Sequence, residues 1–409
     1  MHRTQPHGLR TGPRLMLALG LCAALTARAE ERAAVAITQG PSAHLFASYY
    51  GITSWNPSQR YVSVLRTEVQ NRLPTQDDPA TLGLVDMHDG YGFLPLTETR
   101  AWNFQQGCMA HWLSDTRLVF NDLVDGRFVA VVYDIVTRER VRTWPHPVSA
   151  VAADGRTAVS INFARLRATR PDYGYGGGGQ QARAGVVFPE DDGLWRVDLE
   201  TGAAELLVRL ADIRDLMPAL RDQQIAYFNH TVFSRDGQRV FWLVRTAPFQ
   251  RNTTPLVVNI AGGELTQTMP ARWGASHFDW HPDGRLMVTA RYERRHWRHL
   301  LFSPGSDTYT PLAPEVLDFD GHGCFSPDGK WMVTDTYPQG PQALQTLYRM
   351  DVATEDVQTL GAWPHPETYN ENRRVARCDL HPRFSQDGAW LGINSAHTGT
   401  RQCYVLRLE

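Results

Sequence analysis

The chain has 409 residues, 42% of them hydrophobic and 21% charged, with a formal net charge of −2. That is the balance of a globular protein with ample apolar residues for a large core. No basic stripe points to nucleic acid, and no acidic block forms a tail.

The N-terminus opens with a basic segment, "MHRTQPHGLRTGPR", followed by the apolar run "LMLALGLCAALTA" and a small-x-small "ARA". This is the pattern of a signal peptide cleaved after Ala29, which implies a periplasmic or secreted protein. The run is short for a transmembrane helix, and no later stretch is long enough to span a membrane. Leu21 is bulky where a lipoprotein signal places a small residue, so Cys22 is not read as a lipidation site. Cys108, Cys324, Cys378 and Cys403 remain after cleavage. They are free to pair, to bind metal or to stay buried.

From residue 30 onward one pattern recurs seven times: a strand, a tight turn and a second strand rich in β-formers. In chain order the copies are "ITSWNPSQRYVSVL", "MAHWLSDTRLVFND", "VSAVAADGRTAVSI", "HTVFSRDGQRVFWLV", "HFDWHPDGRLMVTA", "HGCFSPDGKWMVTD" and "HPRFSQDGAWLGIN". Five have Asp-Gly at the turn, where glycine accepts the positive φ of a tight hairpin. Third strands follow, as in "FVAVVYDIVT", "GLWRVDLETG" and "TLYRMDVATED", and then fourth strands such as "AAELLVRL". A period of about 45 residues with four strands each predicts an all-β, seven-bladed β-propeller over 30–409. The long interval between Asp154 and Asp236 holds one blade with insertions, including a polar, helix-like stretch near Asp212 to Asp222. The chain ends on a third strand, "CYVLRLE". The last blade therefore needs an outer strand from the mature N-terminus, around "AAVAITQ", to close the ring.

Counting back six residues from the turn aspartates of the last four repeats reaches His230, His277, His322 and His381. The first three repeats have Ile52, Met109 and Val148 there. Radial symmetry predicts four imidazoles on one side of one rim. Converging imidazoles suit a divalent metal such as Mn or Zn, or a general base. The structural alternative is that each histidine bonds within its own blade. Cys324, two residues beyond His322 on an alternating strand, shares its side. Cys378 and Asp379 also lie close to the row.

Other candidates lie in the connections. "ETRAWNFQQGCMAHWL" concentrates Trp102, Asn103, Gln105 and Gln106, types that suit sugar hydroxyls and ring faces, or else a buried turn. "FARLRATRPDYGYGGGG" is read as a loop carrying Arg165, Arg167, Tyr173 and Tyr175. Arginine is the natural bidentate partner of a carboxylate, though a solvated basic insertion is equally in keeping. It lacks the Gly-Lys-Ser/Thr ending of a phosphate loop. Tyr50 precedes the first hairpin, and Arg377 precedes the last.

The repeat and its histidines resemble exported seven-bladed propellers of bacterial polysaccharide degradation, above all the oligogalacturonate lyase group, with ulvan-lyase propellers as cousins. The resemblance is best in "SHFDWHPDG", "GHGCFSPDGKWMVTD" and "CDLHPRFSQDGAWLGINSAHTGTRQCYVLRL". It implies β-elimination on a uronate-containing oligosaccharide, with His277 as base and His322 and His381 as metal ligands. His230 and Asp379 complete the candidate ligand set. The group's additional histidine ligand falls near Asp379, and its glutamine ligand has no counterpart. Arg165 or Arg167 would neutralise the carboxylate, and Tyr173 or Tyr175 would act as acid. Trp102, Asn103, Gln105, Gln106, Tyr50 and Arg377 would bind the acidic sugar. TolB-type propellers share the "FSPDG" repeat without catalysis, so a binding module in the envelope stands as the alternative, as does a glycoside hydrolase on the same scaffold.

Overall fold

The computed structural model describes residues 33–217, 225–247, 253–369 and 377–408. The expected signal peptide, residues 1–29, lies outside the described residues. Within them, no helix is long and apolar enough to cross a membrane.

Seven four-stranded antiparallel sheets follow one another along the chain. We number them as blades 1 to 7, over 43–99, 111–144, 150–209, 225–267, 278–311, 324–364 and 383–407. Blade 7 supplies only three consecutive strands. Its fourth is Val35–Ala36, in register with Val405 and Tyr404, so a strand ahead of blade 1 closes the ring as expected. Closure leaves no blade with an unfinished edge.

The hairpin turns form for the reason that their sequence suggests. Gly155, Gly237, Gly284, Gly329 and Gly388 all sit at positive φ. The preceding aspartates accept the main-chain N–H two residues on, as Asp236 does from Gln238 at 3.0 Å and Asp328 from Lys330 at 3.0 Å. This side-chain bond holds each turn shut. The apolar partner strands pack between sheets, and Trp55, Trp102, Trp242 and Trp280 are fully buried there.

Blade 3 carries the insertion expected in the long interval, between its second and third strands. Part of it is not the loop that its sequence suggests. Phe163–Thr169 forms an α-helix whose N-cap, Asn162, accepts the N–H of Arg165 at 2.9 Å. Phe163 and Leu166 bury its inner face, which a glycine-rich composition count does not reveal. The polar stretch after blade 3 begins as a 3-10 turn over Leu210–Leu216, and its continuation at 218–224 lies outside the described residues.

The first strands of blades 3, 4, 5 and 6 are neighbours in turn. Tyr49 and Tyr50, from blade 1, reach across to them. The Tyr50 hydroxyl accepts the Phe278 N–H at 2.8 Å and donates to the Phe278 carbonyl at 3.1 Å. This pair of tyrosines decides which of the rim histidines can meet.

Candidate active site

Three of the four histidines converge. The rings of His277 and His322 lie 4.0 Å apart between centroids, and those of His322 and His381 4.2 Å apart. The Nε2 atoms of His322 and His381 face each other at 3.1 Å. All three side chains are almost fully buried.

His230 stands apart from this group. Its ring stacks on Tyr49 at 5.0 Å and meets Tyr173 edge-on at 4.9 Å. Tyr49 in turn contacts His381 at 5.5 Å, so the tyrosine occupies the space between them. Its backbone also turns away from a regular strand: His230 has φ 56° at the break in pairing between Asn229 and Val232. Among the described residues, His230 is thus not in the group that could hold a metal ion, His322, Asp379 and His381. It stands at the cavity beyond Tyr49, not in the cluster.

Two of the three imidazoles, His322 and His277, have a carboxylate at Nδ1. His322 Nδ1 lies 2.7 Å from Asp335 Oδ1, and the same oxygen accepts the His322 main-chain N–H at 2.8 Å. Asp335 Oδ2 accepts the main-chain N–H of His381 at 3.1 Å. A donor at Nδ1 leaves the Nε2 lone pair facing inward, the arrangement that orients metal-binding histidines. His277 Nδ1 lies 3.0 Å from Asp320 Oδ1. The contact is close, but the N–H does not point along the line to the oxygen. Asp320 also accepts the Ser276 hydroxyl at 3.2 Å. On the other ring face of the site, His277 Nε2 lies 3.4 Å from the Tyr337 hydroxyl.

Burial, reinforced by neighbouring His322, pushes the pKa of His277 below the usual imidazole range. His381 is lowered further, by burial first and then by His322 and Arg383. Burial opposes charge on His322 too, yet Asp335 beside it raises its pKa above the ordinary value. Burial pushes Tyr337 well up, so its phenol keeps its proton. His277 thus stands as a neutral imidazole between a carboxylate and a phenol.

One group among the described residues meets the geometry of a cation site: His322, Asp379 and His381, with ligand atoms within 4.8 Å of one another. Two imidazole nitrogens 3.1 Å apart suit an ion bound to both at about 2.1 Å. The Asp379 carboxylate is shared, because Arg377 grips it at 2.5 and 2.9 Å. The donors fit a divalent cation, with two histidines as the firm part of the set and a carboxylate already half neutralised.

His277 and Asp320 line a cavity of about 500 Å³, within the range of small-molecule sites, whereas His322, His381 and Asp379 lie behind its lining. His230, His277, Tyr173 and Tyr337 line its floor. Five arginines line it as well, Arg170, Arg245, Arg272, Arg291 and Arg294, against the single carboxylate of Asp320. Trp273 and Trp297 form part of the wall.

Several candidates lie elsewhere. Arg165 is 1% exposed and donates to main-chain carbonyls of Ala226, Arg183, Val186 and Val187 at 2.8–3.0 Å. Arg167 donates to the Pro171 carbonyl. Neither lines the cavity, and the arginines that do were missed by reading the insertion alone. Tyr175 stacks on Phe163 at 4.4 Å, and its hydroxyl accepts from Asn121. Trp102 donates to the Asp78 carbonyl. Asn103 caps the N–H groups of Gln105 and Gln106 and donates to the Tyr173 carbonyl. This is the buried turn that was the structural alternative, and it braces Tyr173 from behind. Gln106 alone of that turn approaches the site, 3.5 Å from His230 Nδ1. The hydroxyl of Tyr50 is taken by the Phe278 backbone, while its ring packs on His277, His322 and His381. Arg377 reaches Asp379 and lies 4.2 Å over the Tyr337 ring. Cys324 turns from the cluster toward a second cavity and donates to the Pro382 carbonyl. All four described cysteines are buried and unpaired.

No family model matches the chain, and no curated protein matches it in sequence. Solved structures do share its fold. An oligogalacturonate lyase from Vibrio parahaemolyticus is 14% identical over 91% of this chain and 93% of its own, with a TM-score of 0.63. An oligogalacturonate lyase in complex with manganese is 16% identical over 93% and 96%, with a TM-score of 0.62. A puromycin hydrolase is 14% identical over 88% of this chain and 50% of its own, with a TM-score of 0.51. At these identities the likeness establishes the propeller fold, which is that of the lyases along nearly their whole length.

Proposed function

We propose that the protein is an exported lyase that cleaves uronate-containing oligosaccharides by β-elimination. The observation that carries this reading is a buried His277, backed by Asp320 and faced by Tyr337, opening into an arginine-lined cavity. Five guanidinium groups around one pocket suit an anionic ligand, and the two tryptophans suit its sugar faces.

In the reaction, His277 Nε2 takes the proton α to the uronate carboxylate. The electron pair forms the C4–C5 double bond as the C4–O bond breaks. The leaving oxygen receives a proton, which Tyr337 holds within reach of the base. Tyr173, the phenol expected from the sequence, also faces the cavity. Asp320 steadies the imidazolium that forms. The cavity arginines nearest the floor, Arg170 and Arg245, take over the carboxylate role that the sequence assigned to Arg165 and Arg167. His322, His381 and Asp379 are the residues that would hold a divalent cation, Mn or Zn, and a cation bound there would supply Lewis-acid polarisation of the uronate carboxylate. The manganese complex of the similar lyase supports this choice.

The test is ultraviolet absorbance of the new C=C bond when the mature protein, loaded with Mn²⁺ or Zn²⁺, is incubated with pectic, ulvan and glycosaminoglycan oligosaccharides. A rise with any of them is expected. A flat trace with all of them overturns the lyase reading, and reducing sugar without absorbance replaces it with hydrolysis.

A further inference from the structure

The insertion of blade 3 walls two cavities of opposite character. Arg170 and Tyr173, from its middle, line the arginine-rich cavity beside His277. Its beginning and its end, at Asn162 and at Gln181 and Asp192, line a third cavity of about 260 Å³. That is just below the range of drug-sized sites and leaves room for one small ring. The facing wall is His146, in the connection from blade 2, and Trp195, on the third strand of blade 3. The two rings pack with centroids 4.6 Å apart and make one aromatic surface. Strand pairing shifts at Leu194/Trp195, an irregularity of the kind that re-aims a side chain.

The walls are fixed by the fold. Asn162 Nδ2 donates to the Gln181 carbonyl and to Asp192 Oδ2, both at 2.8 Å, and so joins the two ends of the insertion. Gly178 seats the same segment on blade 2, since a Cβ there would lie 2.6 Å from the Phe128 ring. A site held in this way needs little ordering when a ligand arrives.

Its polar groups are left with capacity to spare. Asp192 is 5% exposed, and burial holds its pKa above the usual carboxylate range. A desolvated carboxylate gains by accepting hydroxyl donors. The Trp195 indole N–H, the His146 imidazole and the Gln181 amide have no hydrogen-bond partner among the described residues. The charge is close to balanced. Among the described residues the lining has a single arginine, Arg183, which pairs with Asp191, and the Arg165 charge lies near Asp192. No cation is left over for an acid, and little negative charge is left over for a base. Planar hydrogen-bonding groups beside an indole suit a ligand with hydroxyls at its edge and C–H groups on its face.

We infer that this cavity is a binding site for a neutral sugar ring, which lies on the Trp195–His146 surface and gives hydroxyls to Asp192 and Gln181. The site anchors a neutral unit of a glycan apart from any bond cleavage. It stands whether or not His277 performs elimination.

The experiment titrates the full mature protein and its Trp195→Ala and Gln181→Ala variants by calorimetry. The probes are neutral tetrasaccharides of galactose, xylose and glucose, with tetramethylammonium as a cationic control. At least one tetrasaccharide should bind the parent. Trp195→Ala should weaken it about tenfold, the scale of one lost aromatic contact, and Gln181→Ala several-fold. Gln181→Ala removes no side-chain hydrogen bond among the described residues, so it decides the test if Trp195→Ala does not fold. Ultraviolet product from acidic oligosaccharides should be unchanged in Gln181→Ala, which separates this site from the elimination reading. No tetrasaccharide bound, or binding that both variants leave unchanged, overturns the site. Tetramethylammonium bound through Trp195 in place of any sugar overturns it in favour of an organic cation.

Discussion

The blade 3 insertion and the rim of blades 5 to 7 both bury charged side chains, but they satisfy them differently. In the insertion, Arg165 directs its donors at main-chain carbonyls of its own loop and of blade 4. Every hydrogen-bond acceptor of its guanidinium is a neutral carbonyl fixed by the fold, so the cation works as a tie. At the rim, His277, His322 and their carboxylates face one another across blades and leave Nε2 atoms turned inward. There His277 has a carboxylate on one side and the cavity on the other, while His322 has Asp335 on one side and the Nε2 of His381 on the other. Burial alone therefore does not mark a site. What marks it is a buried titratable group whose remaining valence points to open space.

The comparison breaks most sharply at His277. Replacing it with Ala should lower the elimination rate by about 10³-fold while melting temperature stays close to that of the parent, measured by ultraviolet product formation and calorimetric scanning. The cation site comes next. His322→Ala with His381→Ala should abolish stoichiometric Mn or Zn in the purified protein, read by elemental analysis, and activity should fall with it. Tyr337→Phe removes only the hydroxyl beside His277 and should cost roughly 10²-fold in kcat with little change in KM; a larger loss in Tyr173→Phe would move the acid role to that residue.

The insertion should respond in the opposite way. Arg165→Met strips several carbonyls of their donor and should cost about 3 kcal/mol or more of stability, seen as a lower melting temperature, with kcat unchanged in the folded fraction. Gly174→Ala is the smallest expected effect. Its Cβ would meet the Arg167 backbone nitrogen at 2.1 Å, so the turn must shift at a cost of about 1–3 kcal/mol.

The signal that would have found the missed residues is partly in the chain. Once Cys324 pairs with Val333 and Phe325 with Met332, antiparallel counting brings His322 opposite Asp335. Asp320, two residues before His322, and Tyr337, two after Asp335, lie in the same stretch. The arginines of the cavity offer no such signal. Arg170 lies in the blade 3 insertion, Arg245 on a second strand, and Arg291 and Arg294 at a hairpin in blade 5. Only the ring brings these segments to one mouth.

By itself the sequence determined the seven blades, the closing strand and the row of histidines, because turn chemistry and strand alternation are local and repeat at a regular interval. The tertiary structure alone decided that Tyr49 would separate His230 from the other three, and that Arg165 would be a tie while Arg291 faced a cavity. Those outcomes depend on which side chains from different blades reach the same space first. Packing between distant segments sets that, and no spacing along the chain records it.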